Sequence, residues 1–255
     1  MIIDTHCHIY LEEFDEDRPV MIKNAQNEGV SRFFMPAIDS ATHEKMFIVE
    51  SLHPGECSAM MGLHPCSVKE NFEKELAIAE NYLTNRSFIA IGEVGLDFYW
   101  DKTFIQEQNK AFQLQIEWAL NSQLPLVIHS RNSIDECINL VKQNQNGNLK
   151  GVFHCFSGTI NQAREIIELG FYLGIGGVVT FKNSGLDKVV NELELKHIVL
   201  ETDSPYLAPV PFRGKRNECS YLKYVVKKLA EIKNVSEEAI ANVTTKNAKD
   251  LFGVV

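Results

Sequence analysis

The chain begins with the sequence MIIDTHCH over residues 1–8, a short apolar run that ends in two histidines separated by Cys7. This run is predicted to form a β-strand, and the side chains of a strand alternate between two faces. His6 and His8 therefore point to the same side of the strand end, while Cys7 points to the other. Two imidazoles on one side of a strand end provide half of a site for a divalent metal ion.

Short β-rich runs recur along the chain, and each is followed by a segment whose apolar residues have helical spacing. The predicted strands cover residues 2–5, 32–36, 58–62, 88–91, 126–128, 151–153, 172–175 and 197–200. The predicted helices cover residues 18–28, 42–52, 72–84, 104–121, 133–143, 160–169, 186–192, 221–233 and 236–251. Eight strand–helix alternations indicate an α/β protein of the (β/α)8 TIM-barrel type, with residues 1–255 as a single domain. A doubly wound open sheet is the alternative.

Further metal-binding side chains lie at or just beyond the ends of other predicted strands. They are Glu93, His129, His154 and Asp203. Because the C-terminal ends of barrel strands meet at one rim, we expect these side chains to converge with the two N-terminal histidines. Imidazole and carboxylate ligands together suit zinc, manganese or magnesium. The pattern predicts a two-metal hydrolase in which Glu93 lies between the ions and Asp203 is a ligand, the general base, or both.

His64 is predicted near the same rim, in the sequence Gly62-Leu63-His64-Pro65 that follows the third strand. One interpretation is that His64 contacts substrate or a water molecule at the metals and so takes part in catalysis. The alternative is that it stabilises a turn.

Three cationic side chains are candidates for binding substrate phosphate. Arg131 follows His129 on the same strand face, and Arg213 and Lys215 lie in the irregular segment 204–217. Arginine and lysine are the usual phosphate ligands, and arginine can bind in a bidentate manner. For Arg213 and Lys215, the alternative is that they belong to a solvated basic turn. Two aromatic residues of the same segment, Tyr206 and Phe212, either stack on bases or pack the loop.

Composition narrows the classes of protein to which this chain can belong. The net charge of −9 argues against a protein that coats nucleic acid, but it is compatible with a nuclease whose cleft holds divalent cations. Six scattered cysteines without a CxxC pair indicate reduced thiols and a cytoplasmic location. No signal peptide is evident, and no apolar run approaches the roughly 20 residues of a membrane span. A monomer is expected.

Seven segments, in order along the chain, resemble the motifs of the TatD-type metal-dependent deoxyribonucleases. They are IDTHCH (3–8), GLHP (62–65), AIGEVGLD (90–97), HSR (129–131), FHCFSG (153–158), ETDSPYL (201–207) and RGKRNE (213–218). The resemblance covers essentially the whole chain. It implies a barrel of the amidohydrolase-like kind and metal ligation by the six residues described above, His6, His8, Glu93, His129, His154 and Asp203.

The resemblance also implies an activity, which is hydrolysis of DNA phosphodiester bonds, often as a 3′-to-5′ exonuclease on single strands with magnesium. One position departs from the family, which usually has a proline where this chain has Cys219; we expect a looser start to the following helix. The alternative function is that of an amidohydrolase acting on a cyclic amide or a lactone. Many such enzymes use a carbamylated lysine on the fourth strand, whereas the nearest lysine to Glu93 is Lys102, which favours phosphodiester chemistry.

Overall fold

The computed structural model describes residues 1–254, and the strands in this range all run parallel. They are β1 (Ile2–Asp4), β2 (Val30–Met35), β3 (Cys57–Ala59), β4 (Ile91–Asp97), β5 (Leu126–Arg131), β6 (Gly151–Phe153), β7 (Phe171–Ile175) and β8 (Ile198–Leu200). Strands β1 to β3 form one sheet and β4 to β8 form a second, with neighbours paired in chain order.

Contacts between β3 and β4 and between β8 and β1 close the two sheets into one barrel. A parallel bridge between Met61 and Ile91 joins the end of β3 to β4. On the other side, the Thr5 amide donates a hydrogen bond to the Leu200 carbonyl at 2.9 Å, which joins β1 to β8. Successive strands are connected by helices, as parallel pairing requires. The prediction of a (β/α)8 barrel is therefore confirmed, and the open sheet is wrong.

The helices surround the barrel and begin and end within one residue of the predicted bounds. They are α1 (Arg18–Asn27), α2 (His43–Leu52), α3 (Phe72–Asn85), α4 (Ile105–Ser122), α5 (Ile134–Asn144), α6 (Ile160–Glu168), α7 (Leu186–Glu192), α8 (Leu222–Lys233) and α9 (Glu237–Phe252). Local sequence explains several starts: Pro19 lies in the first turn of α1, and the Ser236 hydroxyl accepts a hydrogen bond from the Ala239 amide at the start of α9. None of the helices within residues 1–254 has the length and apolar character needed to cross a membrane.

Helix α9 closes the N-terminal end of the barrel. The Thr245 hydroxyl donates to the Met1 carbonyl, and the Asn247 amide donates to the Ile198 carbonyl at 2.7 Å. Most strands contribute an inward side chain to an apolar cluster that α9 covers. Its buried members are Ile3, Phe34, Met60, Ala90, Val127, Val152, Val199, Ala248, Leu251 and Phe252. With this end packed, the polar residues concentrate at the opposite, C-terminal end of the strands.

The fourth and fifth strands extend further than predicted. Glu93 and His129 were expected beyond the strand ends, but both lie within strands, so that placement was wrong. The glycines that suggest a turn after residue 91 instead allow β4 to approach β5 closely. A Cβ atom on Gly92 would lie 2.7 Å from the Val127 Cβ, and one on Gly95 would lie 2.1 Å from the His129 carbonyl oxygen.

Candidate metal centre

Glu93 lies at the middle of the polar end of the barrel. Strand pairing passes from Gly92–Val127 directly to Val94–Ile128, so Glu93 is the extra residue of an irregularity in the β4–β5 ladder. Such an irregularity re-aims a side chain relative to the regular alternation. The Glu93 side chain is buried, and its two carboxylate oxygens face different histidines. This carboxylate is therefore the point at which two groups of side chains meet.

The first group surrounds Oε2 of Glu93. The Nε2 atoms of His6 and His8 lie 3.1 and 3.5 Å from this oxygen. Asp203 Oδ1 lies 3.7 Å from His6 Nε2 and 3.6 Å from His8 Nε2. The two histidine Nε2 atoms are 3.3 Å apart. The structure thus brings together the N-terminal histidine pair and the residue that follows the eighth strand.

The second group surrounds Oε1 of Glu93. His129 Nδ1 lies 2.9 Å from this oxygen, His154 Nε2 lies 3.1 Å away and His64 Nε2 lies 3.3 Å away. His6 and His154 are stacked with ring centroids 3.7 Å apart, so the two groups are in direct contact. All six residues that the sequence nominates as metal ligands are brought together, and His64 joins them.

The chemistry of these donors fits divalent cations. Ligand atoms of His6, His8 and Asp203 lie within 4.8 Å of one another, as do those of His6, Glu93 and His154 and those of His64, Glu93 and His129. Imidazole nitrogens and carboxylate oxygens are the usual ligands of zinc and manganese. Within residues 1–254, neither the buried carboxylate of Glu93 nor the partly buried one of Asp203 forms a salt bridge with a lysine or arginine, so neighbouring cations would compensate their charge.

The acid–base properties of the two carboxylates differ. Burial raises the pKa of Glu93, but His64, His154 and His6 hold this pKa well below its usual range, so Glu93 is ionised. Burial raises the pKa of Asp203 to about 6, despite the opposing effect of His154 and His8. Asp203 can therefore accept a proton near neutral pH, as a general base must.

Three buried side chains orient the histidines from behind. Asp97 Oδ2 lies 2.9 Å from His129 Nε2, and Glu201 Oε1 lies 3.3 Å from His154 Nδ1. The Tyr10 hydroxyl lies 3.0 Å from the Nδ1 atom of His8 and donates to the Pro36 carbonyl. Groups of this kind fix the tautomer and ring orientation of a metal-binding histidine.

The sequence alone did not indicate Asp97, Glu201 or Tyr10 as site residues. A signal was available for the two acids, because each occurs within or directly beside a buried strand, where an unpaired carboxylate is unfavourable. Glycine makes room for Glu201, since a Cβ atom on Gly174 would lie 2.2 Å from Glu201 Oε2. No comparable pattern marks Tyr10.

The predicted phosphate-binding cations lie on exposed loops and strand ends. The Arg131 guanidinium lies 3.9 Å from the centroid of the Tyr99 ring, and that of Arg213 lies 4.1 Å from the Phe181 ring. Lys215 is exposed beside Phe212. Within residues 1–254, none of these three cations forms a salt bridge with a carboxylate. They are available for an anionic ligand.

The segment 204–217 is irregular, as predicted, and is held at its base. Asn217 Nδ2 donates to the carbonyls of Thr202 and Tyr206, both at 2.7 Å. Arg216 forms a bidentate ion pair with Asp17. Phe212 stacks on Tyr221 with centroids 4.2 Å apart, which favours the loop-packing alternative for this residue.

Cys219, which occupies the usual family proline position, is fully buried. Its sulfur lies 3.6 Å from the Ser204 hydroxyl, so the thiol packs against the segment that follows β8. Cys7 is also fully buried and packs in the hydrophobic core among side chains such as Phe33 and Met35 of β2, outside the metal centre. This position agrees with the expectation that Cys7 points away from the site.

Comparisons of sequence and of structure with known proteins find relatives of the same family. The sequence profile of the family described as TatD related DNase matches residues 3–253. The chain is 39% identical to the uncharacterized metal-dependent hydrolase YabD of Bacillus subtilis over 100% of both chains. It superposes on the crystal structure of the TatD homolog YjjV of Escherichia coli with a TM-score of 0.93 and 28% identity, covering 100% of this chain and 98% of the other. A TatD-family hydrolase of Entamoeba histolytica, 20% identical, matches in fold with a TM-score of 0.85 over 100% and 98% of the two chains.

Proposed function

Because the chain belongs to the TatD related DNase family of metal-dependent hydrolases, we propose that it hydrolyses DNA phosphodiester bonds. The proposed activity is that of a 3′-to-5′ exonuclease acting on single-stranded DNA. The observation that carries the proposal is the position of Glu93, whose two oxygens each face a separate group of histidines. A carboxylate in this position suits a centre that holds two divalent cations.

Each group of side chains is assigned one cation. His6, His8 and Asp203 with Glu93 Oε2 would hold the first, and His129 and His154 with Glu93 Oε1 would hold the second. Magnesium is the proposed ion for activity, with zinc or manganese as alternatives. Divalent cations bound there would polarise the phosphoryl oxygens and lower the pKa of a water molecule.

Asp203 is proposed to orient the attacking water and accept its proton. The water oxygen forms a bond to phosphorus, the bond from phosphorus to the leaving 3′-oxygen breaks, and that oxygen takes up a proton. The raised pKa of Asp203, about 6, suits proton transfer near neutral pH. His64 is assigned a catalytic contact to the same phosphate, since its Nε2 lies 3.3 Å from Glu93 Oε1.

The cations at the rim are proposed to hold the DNA backbone. Arg131, Arg213 and Lys215 are exposed and have guanidinium or ammonium groups available for phosphate oxygens. They provide local positive charge on a chain whose net charge is −9. The proposed enzyme acts as a monomer in the cytoplasm.

Hydrolysis of a cyclic amide or lactone is less well supported. Glu93 occupies the position between the two histidine groups, and β4 contains no lysine that could be carbamylated to bridge two ions. Three exposed cations at the rim also suit a polyanion better than a small neutral substrate.

The test is cleavage of a single-stranded DNA oligonucleotide labelled at its 5′ end. Metal-stripped protein is assayed with and without added magnesium or manganese. A ladder that shortens from the 3′ end only when metal is present supports the proposal. Folded protein that gives no cleavage with any of these ions contradicts it and directs the search to amides and lactones.

Asp203→Asn separates catalysis from binding in the same assay. Loss of the base is expected to lower kcat by at least about 100-fold while KM changes little. Asp250→Asn is the matched control, because Asp250 is an exposed residue on α9 that pairs with Lys246. Near-normal turnover by Asp203→Asn would remove Asp203 from the role of base.

A further inference from the structure

Two large aromatic side chains are exposed beside the metal centre, on the turn that follows β4. Tyr99 is 51% exposed and Trp100 is 68% exposed. Their rings contact each other edge to face, with centroids 4.9 Å apart and planes at 86°. We call these two residues the aromatic pair. Adjacent exposed aromatic rings commonly mark a binding surface.

A cation from the next strand completes this surface. The guanidinium carbon of Arg131, at the end of β5, lies 3.9 Å from the centroid of the Tyr99 ring and 5.0 Å from that of Trp100. A guanidinium over an aromatic face is held by attraction to the ring while its N–H groups can still bind an anion. The surface therefore combines flat apolar rings with a positive charge.

The aromatic pair is held in a defined position relative to the metal centre. Asp97 Oδ1 accepts hydrogen bonds from the Tyr99 amide at 2.9 Å and from the Trp100 amide at 3.1 Å. The other oxygen of the same carboxylate lies 2.9 Å from His129 Nε2. One buried carboxylate thus joins the backbone of the aromatic pair to a candidate metal ligand.

We infer that the aromatic pair is a stacking site for an unpaired nucleobase of the strand that is cleaved. Arg131 holds a phosphate of the same nucleotide. This inference rests on the proposed function and adds to it a means of recognising single strands. Aromatic rings stack on any base, but only bases that are not paired present a free face. The site would therefore select single-stranded DNA without selecting sequence.

Charge complementarity identifies the occupant as a nucleotide. A protein partner would bring a net charge of no particular sign, and a second copy of this chain, at −9, would add to the negative charge already present. A nucleotide supplies both a flat ring for the aromatic pair and an anion for Arg131.

The first test compares two chromogenic phosphodiesters that share a leaving group. Thymidine 5′-(4-nitrophenyl phosphate) has a base, and methyl 4-nitrophenyl phosphate has none. Trp100→Ala is expected to raise KM for the thymidine ester about tenfold, because stacking stabilises a bound base to that extent. KM for the methyl ester should stay within about twofold. Leu52→Ala, which removes a side chain 69% exposed at the end of α2, is the matched control.

The second test does not need turnover. Within residues 1–254 the other tryptophan, Trp118, is buried. A ligand that binds at the surface therefore changes mainly the fluorescence of Trp100. Titration of metal-loaded protein with dAMP should quench the fluorescence, and the quenching should be absent in Trp100→Phe. Quenching without hydrolysis of either ester would leave the stacking site in place and refute the proposed hydrolytic function.

Three results would overturn the stacking site. One is the absence of quenching in the wild-type protein. Another is a wild-type enzyme that cleaves DNA while Trp100→Ala leaves both KM values unchanged. The last is a Trp100→Ala variant whose sedimentation coefficient falls while its KM values do not change, which would make the aromatic pair a contact between copies of this chain.

Discussion

Replacement of Asp97 by asparagine tests whether the centre depends on residues behind the ligands. If His129 binds a cation through Nδ1, which faces Glu93, its proton must lie on Nε2, 2.9 Å from Asp97 Oδ2. An asparagine would place an NH2 group opposite that N–H, so two donors would face each other. Rotation of the amide would instead remove the acceptor for the amides of Tyr99 and Trp100.

The expected magnitude follows from these contacts. The Asp97 side chain is 1% exposed, so water does not replace the lost acceptor. A hydrogen bond to a charged group contributes about 1.5–3 kcal/mol. Loss of such a partner of a metal-binding histidine typically lowers metal affinity about 10–100-fold. We expect a loss of metal affinity in this range for Asp97→Asn, with folding stability lowered by about 1.5–3 kcal/mol.

The assay is a competition titration of zinc or manganese against a chromophoric chelator, together with DNA cleavage as a function of magnesium concentration. Activity of Asp97→Asn should recover partly at high metal concentration. Asp101→Asn is the control, since Asp101 lies on the same loop but is partly exposed and pairs with Lys69 at 2.7 Å. Wild-type metal affinity in Asp97→Asn, or an equal loss in Asp101→Asn, would refute the reasoning.

Three other predictions concern the rim, pH and packing. Arg213→Met should raise KM for single-stranded DNA several-fold at low salt. Arg216→Met breaks an ion pair within the protein, so it should change the free energy of unfolding by about 1 kcal/mol or less and leave KM unchanged. Identical KM values for the two variants would contradict this. Because burial raises the pKa of Asp203 from 3.8 to about 6, metal-free protein should lose about 3 kcal/mol of stability as pH rises between these values. The urea midpoint of Asp203→Asn, measured as a function of pH, should lack that loss. Parallel curves for the wild-type protein and the variant would contradict the role of Asp203 in this pH dependence. Gly174→Ala places a methyl group 2.2 Å from Glu201 Oε2 and should destabilise the protein by about 1–3 kcal/mol; an unchanged urea midpoint would show that Glu201 can move.

Local sequence signals account for most of the architecture. Apolar spacing located the helices within one residue, because a helical face is determined by neighbours three and four positions away. The recurrence of strand and helix indicated the barrel, since parallel strands need a crossover between them. The order of histidines and acids at strand ends was enough to nominate His6, His8, Glu93, His129, His154 and Asp203.

Contacts between distant segments decided the rest. The extent of β4 depends on its close approach to β5 at Gly92 and Gly95, which no local pattern of β4 reveals. The pairing of Asp97 with His129, across 32 positions of sequence, likewise exists only in the folded chain. The sequence by itself determined which elements form and which side chains can bind a metal. Only the tertiary structure decided which oxygen of Glu93 faces which histidines and which buried acids orient them, because these contacts arise from strand register and packing.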